Sequence, residues 1–243
     1  MKKIIFVLFV LKPLSAFSWT LVGSGIAGWD ATELTIGVNY SNCTVSNAVL
    51  DDALDAAINA WNGVATSRLV LKRGTSTTDV ATFMAETATD TPVILCDPNL
   101  GTTLGVSVNN IPGVSLNIKG NPNIYYGGIL LNAQMGAAAE ISNLTDLELQ
   151  VTLAHELGHV LGLGHSSVEE ALMYYSVSTK TELLVIDDDK DALSFLYPSQ
   201  FGCAAVHRRG WGARVPLQCL STLLLFILLT RFAGRRFFSR SFV

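Results

Sequence analysis

Residues 145–166, TDLELQVTLAHELGHVLGLGHS, decide how the rest of the chain is read. Thr145 and Glu148 have the spacing of a capping box, and Asp146 adds negative charge at the positive end of the helix they open. Leu149, Leu153, Leu157 and Leu161 then recur every four residues, so one stripe faces a core and the helix runs to about Leu161. His155 and His159 share a different face, one turn apart and pointed away from the leucines. Gly162 stands where a helix often ends in a left-handed residue, which turns the chain and swings His165 back toward the first two histidines. Three neutral imidazoles leave one position of a zinc ion open to water, and Glu156 is placed to take a proton from that water. The five fixed positions of H-E-x-x-H-x-x-G-x-x-H coincide by accident in on the order of one in 10⁵ chains of this length. Chance is therefore set aside as the origin of the pattern.

Upstream of this helix the pattern is mostly that of strands. Leu34, Ile36, Val38 and Tyr40 alternate with other residues across 33–40, the period of a half-buried strand. Ser46 opens a helix whose face carries Leu50, Leu54, Ile58 and Trp61, and Gly63 stops it. Residues 68–72, 91–95 and 128–132 read as further strands, whereas 97–126 is rich in Gly, Asn and Pro and reads as long loops with short strands at most. A last helix is expected over about 188–197, with Ala192, Leu193 and Leu196 buried and Pro198 after its end. Strands early and helices late, without regular alternation, predict an α+β domain.

The two ends of the 243-residue chain have a different composition from its middle. Lys2 and Lys3 precede the apolar run 4–11, and Ala16 and Ser18 are small residues before Trp19, so 1–18 reads as a signal peptide and 19–200 as the catalytic domain. The run is far short of the roughly 20 residues that span a bilayer. Residues 201–214 read as a linker, 215–230 as a C-terminal hydrophobic segment and 231–243 as a basic tail, an order that holds a membrane segment with its end on the cytoplasmic side. With Gly202 and Cys203 just upstream, the arrangement resembles the tripartite sorting tails of bacterial exported proteins. The expected location is periplasmic, cell-surface or secreted, with anchoring or processing at the tail. Between the ends stand six basic against twenty acidic residues, a net charge of −14. Such a surface repels nucleic acid and anionic lipid and favours a basic or neutral substrate. Cys43 and Cys96 fall inside the domain, and export permits a bridge between them.

Two other patterns carry no function. Residues 23–28, GSGIAG, match a dinucleotide fingerprint but precede a strand instead of opening a helix after one. Asn42-Cys43-Thr44 and Asn143-Leu144-Thr145 match glycosylation acceptors by pattern alone.

The zinc motif continues into Ser166, and with Ala171-Leu172-Met173-Tyr174 it resembles the metzincin clan and, within it, the matrixin family of matrix-metalloprotease-like enzymes. Asp188-Asp189 and Leu196-Tyr197 resemble the start and end of that family's last helix, and weaker likeness extends through Ala60-Trp61 and 128–132. The resemblance implies a twisted mixed sheet with an active-site helix and a C-terminal helix, one catalytic zinc on His155, His159 and His165, Glu156 as the general base, and Met173 beneath the metal. It implies a protein or peptide substrate that adds as a strand to a cleft rim, expected at Ile129, Leu130 and Leu131. Structural calcium also belongs to what the family implies.

Three positions depart from the family pattern. No cysteine-switch segment fits between Trp19 and Glu33, and His207, the histidine left over, cannot build a second, structural zinc site. Tyr175 stands where matrixins carry the Pro that shapes the specificity pocket; it is read either as a transition-state or zinc-directed phenol, as in astacins and serralysins, or as a wall of that pocket. The reading that competes with a zinc endopeptidase is a surface-displayed binding or adhesion module of the same fold, whose signature would be a lost ligand or Glu. Neither is lost.

Overall fold

The computed structural model describes residues 18–23, 28–85, 91–119 and 123–199. The signal peptide read over 1–18, apart from Ser18, and the linker, hydrophobic segment and basic tail after 200 lie outside the described residues. No helix among the described residues is long and apolar enough to cross a membrane.

Five strands form one mixed sheet: β1 (Glu33–Asn39), β2 (Val70–Thr75), β3 (Val93–Asp97), β4 (Gly113–Lys119) and β5 (Ile124–Asn132). Their spatial order is β2-β1-β3-β5-β4, parallel except for the antiparallel β4–β5 pair. Alternation along the strands gives the sheet two apolar faces. Leu34, Ile36, Val38, Ile94, Cys96, Ile129 and Leu131 join the larger core, while Val93, Leu95 and Leu130 join the smaller one with Phe83, Leu100 and Val108. The smaller core is covered by two short helices, α2 (Val80–Met84) and α3 (Leu100–Leu104).

Three longer helices cover the larger face: α1 (Asn47–Asn62), α4 (Asp146–Val160) and α5 (Asp187–Leu196). Ser46 caps α1 by accepting the Val49 N–H, and the buried stripe Leu50, Leu54, Ile58 and Trp61 is the one its spacing predicts. The Trp61 indole donates to the carbonyl of Ala154 at 2.9 Å, which fixes α1 against the middle of α4. The fold is thus α+β, as the order of elements predicts. Cys43 and Cys96, whose pairing the sequence leaves open, form a disulfide that ties the loop after β1 to β3.

The region read as loops differs most from expectation. It contains a seven-residue strand, β4, at the edge of the sheet, and β5 is longer than 128–132. β5 lies between β3 and β4 and is paired on both sides. Ile129, Leu130 and Leu131 are consequently 1%, 0% and 0% exposed in the sheet interior and form no cleft rim. The strand at the sheet edge beside them is β4.

Candidate metal centre

The helix that carries the first two histidines is held at both ends. Thr145 accepts the N–H of Glu148, and the Glu148 carboxylate accepts the Thr145 N–H at 2.8 Å, a complete capping box. At the other end Gly162 has φ +107, and the N–H groups of Gly162 and Leu163 return to the carbonyls of His159 and Gly158. The chain reverses there as the glycine requires. Beyond the reversal, Gly164 N–H donates to Thr20 O and the Thr20 hydroxyl donates to His165 O, each at 2.8 Å. A Cβ at Gly164 would lie 2.3 Å from the Thr20 oxygen, so the approach needs glycine.

These constraints bring His155, His159 and His165 together, with one ligand atom from each inside a mutual distance of 4.8 Å. Among the described residues this is the one group of three or more metal-binding side chains so placed. His155 Nδ1 bonds the carbonyl of Leu172 at 2.8 Å, and His159 Nδ1 bonds that of Leu163 at 2.7 Å. A carbonyl only accepts, so Nδ1 carries the proton in both rings and leaves Nε2 with a bare lone pair. The two Nε2 atoms face each other at 3.1 Å. Burial holds His155 down to about 3 and His159 down to about 4, so both are neutral at ordinary pH. Neutral, oriented imidazoles with convergent Nε2 atoms are the donor set that zinc takes, so the residues fit the ion.

Beneath the histidines lies the turn 171–174. Met173 is 1% exposed and packs on Gly158, where a Cβ would stand 2.3 Å from its sulfur. The turn is held by Asp189, whose carboxylate accepts N–H groups from Leu172 at 2.9 Å, Met173 at 3.0 Å and Ile186 at 3.0 Å. Burial of Asp189 raises its pKa, and the backbone donors oppose the rise. Asp188 beside it accepts from the hydroxyls of Ser166 and Ser18, both at 2.6 Å.

Glu156 faces β4. Its Oε2 accepts the backbone N–H of Ser115 at 2.8 Å. Burial pushes Glu156 up to about 7, against the lowering effect of Ser115. Two residues along β4, the Asn117 amide donates to the carbonyl of His159 at 2.6 Å. A cavity of about 560 Å³ opens beside His155 and Glu156, and Tyr175 and Val177 stand on its wall. Tyr175 is 68% exposed, with its ring 4.4 Å from that of Tyr174.

The histidines, Glu156, Gly162 and Met173 are all found from the sequence, and the structure gathers them. Ser115 and Asn117 are missed there, because the segment that forms β4 reads as loop. A signal is present in GVSLNIK, where Val114, Leu116 and Ile118 alternate at the strand period.

Comparison with known proteins agrees with this geometry. The family model described as Matrixin matches residues 118–198. Metalloendoproteinase 2-MMP of Arabidopsis thaliana is 44% identical over 52 residues, 21% of this chain and 14% of that protein. Interstitial collagenase of Bos taurus is 29% identical over 178 residues, 72% of this chain and 34% of that protein. Stromelysin-3 of Xenopus laevis is 40% identical over 57 residues, 24% of this chain and 12% of that protein. The chain therefore spans about a third or less of the length of these relatives.

Proposed function

From the premise that this chain belongs to the matrixin-like metzincins, we propose that it is a zinc-dependent endopeptidase with His155, His159 and His165 as the metal ligands and Glu156 as the general base. The observation that carries the reading is the convergence of three imidazoles, two with their Nδ1 positions already engaged, beside a buried carboxylate. Zinc held there supplies Lewis acidity, lowering the pKa of a water and polarising a carbonyl. Glu156 takes the proton of the attacking water and passes it to the departing amine. A carboxylate whose pKa is lifted by burial suits both halves of that transfer near neutral pH. Leu172 O and Leu163 O keep the rings aimed throughout, because each bond fixes a tautomer and an orientation.

β4 is an edge strand of the sheet and the one tied to α4, so an extended peptide joins there, across the cleft from α4. Tyr175 serves as a wall of the cavity in this reading, since its ring lines the cavity, packs on Tyr174 and is open to solvent. Casein cleavage by the purified protein, abolished by a chelator and restored by zinc, is the expected result. Stoichiometric zinc without cleavage of casein or gelatin would favour the binding-module reading.

The protein is further proposed to be exported and held at a membrane through 215–230, a reading supported by the apolar run and the arginines after it. Truncation before Val215 is expected to release the protein into the soluble fraction. A truncated form that stays with membranes would show that another segment anchors it.

A further inference from the structure

The cavity beside the metal centre has an uneven lining. Its floor is one face of α4, where Glu148, Thr152 and the His155–Glu156 pair follow each other at helical spacing. Ala139, Leu144 and Val177 line it as well and offer aliphatic surface. Asn109, Ser176 and Ser178 add neutral polar groups. Two charged residues line the cavity, Glu148 and Glu156, and both are acidic. Lys180, a cation of the same region, is engaged elsewhere: its Nζ donates to Glu169 O and lies 5.8 Å from the Tyr174 ring.

Glu156 is occupied at the reacting end, so Glu148 sets the charge of the remote end. Its Oε2 closes the capping box with Thr145, while Oε1 accepts no hydrogen bond from the described residues. The Thr145 donors lower its pKa, which keeps it ionised. Seven residues separate Glu148 from His155, about 10 Å along the helix at 1.5 Å per residue. A short side chain entering beside the metal cannot cover that distance. A long one with a cationic head can, laying its methylenes on the aliphatic wall and its charge against the free carboxylate oxygen.

We infer that this cavity is a specificity pocket for a lysine or arginine side chain flanking the scissile bond, with Glu148 as the residue that selects for the positive charge. The inference rests on the peptidase reading for the identity of the ligand as a peptide, but the pocket can be tested without turnover. Two peptidyl hydroxamates, identical except that the side chain next to the chelating group is aminobutyl in one and n-butyl in the other, are titrated calorimetrically into the zinc-loaded full-length protein. The aminobutyl compound is expected to bind more tightly. In Glu148→Gln, which keeps the acceptor needed for the cap, the ratio of the two dissociation constants should fall roughly fivefold, the upper end for a solvent-exposed ion pair such as the exposed Glu148 can form. Preference for n-butyl in the parent protein, a ratio unchanged by E148Q, or failure of both compounds to bind would each overturn the pocket. Selective binding without hydrolysis of any peptide would leave the pocket standing and remove the peptidase reading instead.

Discussion

The two walls of the cleft are built to different standards. On the α4 side, the first two histidines are each fixed at Nδ1 by a backbone carbonyl, Met173 fills the space that Gly158 leaves, and one buried carboxylate holds three N–H groups of the turn and the start of α5. On the β4 side, the strand is an edge, and its side-chain ties to α4 are Ser115 on Glu156 and Asn117 on the His159 carbonyl. Asn117 Oδ1 is buried with no partner among the described residues. A ligand set must hold a geometry to fractions of an ångström, while a rim that receives varied peptides gains from being lightly attached. Changes on the first wall should therefore cost chemistry or stability, and changes on the second should cost substrate affinity.

The sharpest test of that division is Glu156→Gln, which removes the proton acceptor and leaves every ligand in place. Turnover should fall by about 10²- to 10⁴-fold with stoichiometric zinc retained. Wild-type turnover in a zinc-loaded variant would show that the base lies elsewhere.

Asp189→Ala should be the most destabilising single change on the α4 side. It leaves three backbone donors without their acceptor, at about 1–3 kcal/mol for each one that stays buried. The urea midpoint of the zinc-free protein reads the loss, and Asp189→Asn, with one acceptor oxygen left, should fall between. If D189A unfolds at the parent midpoint, the turn does not depend on this carboxylate.

Acidification separates the contributions further. His155 and His159 are held at about 3 and about 4 in the fold, below the ordinary 6.5, so between pH 6.5 and 4 the unfolded chain binds more protons and stability falls as pH falls. Glu156 is raised from 4.5 to about 7, so in that window the folded protein binds the extra proton and stability rises as pH falls. The two effects oppose between pH 4.5 and 6.5. Zinc-free E156Q, lacking the offset, should lose more stability than the parent on going from pH 6.5 to 4.5. Parallel urea midpoints for the two proteins would refute the assignment.

Asn117→Ala carries the smallest expected effect. One neutral hydrogen bond is worth about 0.5–1.5 kcal/mol, and its loss frees β4 from the helix without touching a ligand. KM should rise several-fold while zinc content and kcat stay near the parent values. A fall in zinc affinity instead would mean that the rim also shapes the metal site, and the contrast between the walls would fail.

Much of the α4 wall is legible in the amino-acid order alone. His155 and His159 sit four residues apart, Thr145 and Glu148 three apart, and Gly162 directly after the helix, so helical geometry fixes their relation. The same holds for the buried stripe of α1 and for its Ser46 cap. Only the tertiary structure decided that β4 is an edge strand and that Ile129, Leu130 and Leu131 lie inside the sheet, because edge or interior depends on the order of five strands. It also decided that Ser115 meets Glu156 and Asn117 meets His159, 41 and 42 residues away in the chain, and that Asp189 holds the turn under the histidines. Periodicity reports which face of an element is buried. It cannot report what that face meets, since the partner is chosen by packing between segments whose separation no local rule constrains.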